Sequence, residues 1–201
     1  MMLGLGLGLT MQRIGGAAGA PTRRNLLTYT EDMTNGVWLG VGASATDAET
    51  LTEAATENRH IIYRELSGGP AGGTELSLSV EVEYTNCRYV VLSFQRNGTD
   101  PAAYFDLVGG TVTDQNNGTG AISPVSAGVY RISVTGSPID GFGGLIYPQL
   151  GLSDRADDST GSFIAQMPSY VGTSRTVKAR KWQLEAGPAT AYQAVTGATW
   201  P

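Results

Sequence analysis

The ten residues Glu75–Tyr84, ELSLSVEVEY, alternate without a break between apolar and polar side chains. Leu76, Leu78, Val80, Val82 and Tyr84 share one parity; Glu75, Ser77, Ser79, Glu81 and Glu83 share the other. A helix would scatter both sets around its circumference, whereas a strand puts them on opposite faces. The segment reads as a half-buried strand, with a core face and a solvated face of serines and carboxylates.

Similar segments recur between turn signals. Arg88–Arg96 is ended by Asn97-Gly98, and Ala103–Val108 is broken from Thr111–Thr113 by Gly109-Gly110. Asp114–Gly120 (DQNNGTG) is turn chemistry throughout. Val129–Thr135 alternates, Leu145–Leu152 is more continuously apolar, and Val177–Leu184 closes the series. His60–Leu66 and a short piece at Val37–Val41 add two more strands. Ala45–Asn58 offers a helix only Leu51 to bury, so it reads as loop and strand. With 28 glycines and only 15% charged residues, the composition suits short strands and many turns. The fold class expected is all-β: a sandwich of about eight or nine antiparallel strands preceded by an extended N-terminal arm.

That arm, residues 1–24, is distinct from the domain at 25–201. Leu3, Leu5, Leu7 and Leu9 alternate with Gly4, Gly6 and Gly8, so an extended chain carries four leucines on one face and bare backbone on the other. Glycine interiors make a poor strand alone, and the pattern suits docking of the leucines into a partner's groove. The small-residue stretch Ile14–Arg24 then reads as a linker. No basic residue precedes the apolar run, so synthesis in the cytoplasm without Sec export is expected.

A net charge of −5 argues against nucleic acid and against an anionic membrane as partners. The single cysteine, Cys87, permits no internal disulfide and reads as a small buried hydrophobe.

Asn25-Leu26-Leu27-Thr28-Tyr29-Thr30-Glu31-Asp32, followed by Trp38, resembles the opening of a domain common in tailed-bacteriophage virion proteins. The similarity continues through Leu51-Thr52-Glu53, His60, the Glu75–Tyr84 strand and Phe105-Asp106-Leu107 with Gly110-Thr111-Val112. It then takes in Gly128–Val134 and ends at Trp182-Gln183-Leu184-Glu185-Ala186-Gly187 and Ala189–Tyr192. The resemblance implies a jelly-roll sandwich similar to carbohydrate-binding modules, as found in tail fibres, tail-tip proteins, head fibres and capsid decorations. Met33 and Val129 depart from the residues usual there.

Catalysis has little to work with. One histidine, His60, and one cysteine cannot make a metal cluster or a Cys/His pair, and no G-x-S-x-G turn is present. His60 reads as a structural imidazole. Glu81 and Glu83 share a strand face about 7 Å apart, a spacing that fits glycoside hydrolysis but fits a solvated face better. Asp154, Asp157 and Asp158 supply oxygen ligands without EF-hand spacing and read as a solvated acidic loop. In similar sugar-binding modules a residue such as Glu185 ligates calcium; here its role stays open, and no metal or cofactor is expected.

Sugars are held by aromatic faces and planar polar side chains. The candidates are Tyr63, Tyr89, Gln95, Tyr104, Tyr147, Gln149 and Tyr170, set against the tendency of strand aromatics to face the core. Trp38 and Trp182 read as core anchors. The function expected is a non-enzymatic virion structural protein, present as a homo-oligomer or in many copies. Residues 1–24 attach it to phage capsid or tail proteins, and the jelly roll binds host-surface polysaccharide. The alternative is a capsid decoration or cement protein without a glycan ligand.

Overall fold

The computed structural model describes residues 25–95, 100–138, 144–158 and 167–195. The leucine/glycine arm, with Leu3, Leu5, Leu7 and Leu9, lies outside the described residues. Among them the chain forms thirteen strands and no helix. They are β1 Trp38–Val41, β2 Ala43–Ala45, β3 Thr50–Glu53, β4 Glu57–Arg64, β5 Leu76–Tyr84, β6 Tyr89–Gln95 and β7 Ala102–Asp106. Then come β8 Thr111–Asn116, β9 Thr119–Ser126, β10 Val129–Gly136, β11 Tyr147–Ser153, β12 Ser169–Val171 and β13 Thr176–Ala186.

Two antiparallel sheets face each other. The seven-stranded sheet runs β1-β4-β11-β6-β7-β8, with β12 on the Glu57–Arg59 end of β4; the six-stranded sheet runs β2-β3-β13-β5-β10-β9. The chain passes back and forth between the sheets, at β3/β4, β4/β5, β5/β6, β8/β9, β10/β11 and β12/β13 among others, which is the winding of a jelly roll. Beyond the nine strands expected, the structure adds β2, β3, β12 and β9, of which β3 falls within Ala45–Asn58, the segment read as loop and strand. The first three are too short to carry a period. β9 holds Pro124 and buries little, which confines it to a sheet edge. The Asp114–Gly120 stretch is corrected from loop to two strand ends, because β8 continues to Asn116 and only Asn117-Gly118 turn, Asn117 at φ 52°.

Between the sheets lies one core, in which Leu76, Leu78, Val80 and Val82 of β5 meet Leu92, Phe94, Phe105, Leu150 and Leu184. Trp38 and Trp182 are both buried and pack at 4.6 Å between ring centroids. Cys87 is fully buried as expected, and burial pushes its thiol up to about 11.

The opposite face of β5 departs from the expectation. Ser77, Ser79 and Glu81 are buried, not solvated. A β-bulge between Arg180 and Gln183, with Lys181 at φ 54°, turns two consecutive cations toward Glu81. Arg180 Nε donates to its Oε1 at 2.8 Å and Lys181 Nζ to its Oε2 at 3.0 Å. Arg131 donates to Ser79 Oγ at 2.6 Å and lies over the Tyr192 ring.

The two ends of the described chain meet on this side. Asn25 Nδ2 donates to the Trp182 and Gln193 carbonyls at 2.7 and 3.0 Å, while its Oδ1 accepts from the Leu27 and Leu184 amides, both at 3.1 Å. Tyr192 Oη and Thr30 Oγ1 are 2.7 Å apart. The opening and closing motifs of the sequence are thus one tertiary unit. Asn25→Ala strands several backbone groups at once and is expected to cost about 2 kcal/mol, read as a lower urea midpoint at unchanged slope.

Candidate functional site

On the outer face of the seven-stranded sheet, β4 alternates so that His60, Ile62 and Arg64 point inward and Arg59, Ile61 and Tyr63 outward. Burial follows that parity: Ile62 joins the main core, whereas Ile61 packs in a second apolar cluster with Val91, Tyr104 and Met167, supported by Val41 and Tyr63. Gly151 makes this cluster fit. A Cβ there would stand 2.4 Å from Met167 Sδ, so the methionine lies directly on the backbone of β11. Gly151→Val forces it away and is expected to destabilise the domain by about 1–3 kcal/mol, measured by thermal unfolding.

Beside that cluster an open groove of about 240 Å³ is lined by Val41, Arg59, Ile61, Tyr63, Gln95, Tyr147 and Gln149. Strand register assembles it. Gln149 of β11 lies opposite Tyr63 on β4 and Ser93 on β6, and Tyr147 lies opposite Gln95. Gln149 Nε2 donates to Ser93 Oγ at 2.8 Å, which fixes the amide in the floor. The Tyr63 and Tyr147 rings stand 6.2 Å apart at 55°, forming an aromatic corner. Burial raises the Tyr147 phenol, with Glu65 and Tyr63 adding to the effect. The Arg59 guanidinium has no hydrogen bond or ion pair among the described residues.

Of the seven side chains expected to suit a sugar, the groove brings together Tyr63, Gln95, Tyr147 and Gln149. The other three lie elsewhere. Tyr104 is buried within the second cluster, and burial, then Asp158 and Asp114, raises its phenol. Tyr170 is buried with its hydroxyl donating to Glu53 Oε2 at 2.6 Å and its ring 4.4 Å from that of His60. Tyr89 sits at the far end of β6 beneath the Arg88 guanidinium. Arg59, Val41 and Ile61 were not anticipated; the alternation of β4 is the signal that finds Arg59 and Ile61, and Val41 joins them through the pairing of β1 with β4.

The remaining polar candidates serve the fold. The His60 ring nitrogens face the carbonyls of Gly42 and Tyr170. Glu185 accepts from Gln183 Nε2, Thr190 N and Thr190 Oγ1, each at 2.7 Å, and so pins the segment after β13. Asp154 pairs with Arg155 at 2.8 Å, and no group of acidic, histidine or cysteine side chains among the described residues converges on a metal position. Burial raises the Glu81 carboxyl, but Lys181 and Arg180 outweigh it and hold it below its ordinary value; Arg180 does the same for Glu83. Both are tied into ion pairs with Arg180.

No family model matches the chain, and no curated protein matches it. Among solved structures, one described as "CBM4 structure and function" is similar to it over 77% of this chain and 83% of its own, at 13% identity and a TM-score of 0.41.

Proposed function

We propose that this chain is a non-enzymatic glycan-binding domain, displayed on a tailed-phage particle by its N-terminal residues. One observation carries the binding half: an aromatic corner and two glutamine amides converge in one open groove on the outer sheet face. That is the combination a sugar needs, since aromatic rings cover its apolar face and planar amides reach its hydroxyls. The display half is supported by the motif series from Asn25 to Tyr192 and by the period-two leucines of residues 1–24. The particle is then the site of residence, with assembly in the host cytoplasm, several copies per particle, and capsid or tail proteins as partners.

Two experiments test the two halves. The isolated domain is screened against host-surface polysaccharides; specific binding is expected. Repeated absence of binding, with particles that fall apart when the protein is missing, favours a cement protein instead. Deleting residues 1–24 is expected to abolish incorporation into particles and leave a folded domain, and normal incorporation contradicts docking through the arm.

A further inference from the structure

Resting on that reading of the groove, we infer that its ligand is an anionic glycan, and that Arg59 takes the acid group. The groove carries one formal charge, and it is positive. None of its seven lining residues is a carboxylate, although the protein as a whole bears a net charge of −5. Every arginine of the six-stranded sheet and its neighbouring loops is engaged: Arg180 holds Glu81, Arg131 holds Ser79, and Arg175 holds Glu53. Arg59 is half-buried, has no such partner among the described residues, and lines an open groove. Glu57, two residues before it on the same strand face, accepts instead from Ser169 Oγ at 3.0 Å. Glu65 lies at the opposite, tyrosine end, where it bears on Tyr147.

A guanidinium already partly out of water, with its donor fork unspent, is built to pair with a planar oxyanion. Because Arg59, Ile61 and Tyr63 alternate outward along β4, the cation and the aromatic corner are separated by about 13 Å of strand. That is longer than one pyranose ring. A ring stacked on Tyr63 and Tyr147 therefore leaves the acid group to a neighbouring unit of the same chain. Two chemistries supply it, the carboxylate of a sugar acid and a phosphate in a sugar-phosphate polymer.

The test uses matched pairs: oligogalacturonate beside its carboxyl-reduced form, and a glycosyl-phosphate oligomer beside its dephosphorylated form. Titration calorimetry measures each against the wild-type chain and against Arg59→Gln. One acidic member is expected to bind about tenfold or more tighter than its neutral counterpart, with the advantage shrinking as salt rises. Arg59→Gln should erase that advantage and leave the thermal unfolding midpoint unchanged. Which pair shows the effect distinguishes carboxylate from phosphate. Equal binding of acidic and neutral forms, or an acid preference that survives Arg59→Gln, overturns the inference and leaves the groove a glycan site. If neither form of any pair binds, the reading of the groove fails and this inference fails with it.

Discussion

Glu53→Gln is expected to cost the fold about 3–5 kcal/mol, the largest single effect of any polar substitution in the domain. Glu53 ends β3 and its side chain is buried, yet both carboxylate oxygens are spoken for. Arg175 donates from Nε to Oε1 at 2.9 Å and from Nη2 to Oε2 at 3.2 Å; Tyr170 donates from its hydroxyl, and the Thr173 and Arg175 amides and the Thr173 hydroxyl complete the set. The Arg175 guanidinium also covers the Tyr170 ring at 5.0 Å. One carboxylate thus fastens β12 and the approach to β13 onto β3. Glutamine keeps the volume but leaves a half-buried guanidinium uncompensated and weakens the acceptor of a buried phenol. Chemical denaturation reads the loss.

The same group sets the acid limit of stability. Burial alone would raise the Glu53 carboxyl, but Arg175, Tyr170 and the Thr173 amide together bring it from 4.5 down to about 2. Between those values the unfolded chain takes up a proton that the folded chain refuses. The stabilisation is therefore complete above pH 4.5 and is lost as pH falls toward 2. It amounts to about 3 kcal/mol. Asp106, held at about 2 chiefly by Arg88, adds a smaller share because Arg88 is largely exposed to solvent. In Glu53→Gln the slope of unfolding free energy against pH between 2 and 4.5 should flatten markedly. An unchanged slope would mean that the charge on Glu53 does not bear on stability.

The second large effect concerns the groove. Tyr63→Ala and Tyr147→Ala should each weaken sugar binding at least about tenfold, as truncated aromatic anchors do. The double variant should weaken it by about a hundredfold. The two rings are neighbours, so a total short of the product of the single effects would measure their coupling. Both tyrosines are only partly buried, and the unfolding midpoints should move little. Tyr104→Phe and Tyr89→Ala, outside the groove, serve as controls that leave binding intact.

How far these features were legible in the sequence follows from how local they are. β5 announces itself because its alternation is a property of ten consecutive residues. Its other face does not, because Ser77, Ser79 and Glu81 are covered by segments about a hundred residues away, drawn in by Arg131 and by the bulge at Lys181. Asp114–Asn116 looked like loop because its polar residues sit on an edge strand that needs no apolar face. Among the tyrosines, Tyr63 and Tyr104 both face outward, but Tyr104 stands in the row of Ile61, Gly151 and Val91, and Tyr63 in the row of Gln149 and Ser93. Met167, which arrives late in the chain, lies against Gly151 and closes the cluster that buries Tyr104, while Tyr63 stays partly exposed at its margin, and no local pattern encodes that. The convergence of Gln95, Tyr147 and Gln149 with Tyr63 is a consequence of strand register, which the sequence expresses only through pairing.

The most direct measurement is to record amide and side-chain NMR shifts of the domain while titrating an oligosaccharide found to bind it. The largest changes should cluster at Val41, Arg59, Ile61, Tyr63, Gln95, Tyr147 and Gln149 and vanish in the Tyr63→Ala/Tyr147→Ala variant. Changes centred on the six-stranded sheet, or a binding curve unaffected by loss of both tyrosines, would contradict a binding site in this groove.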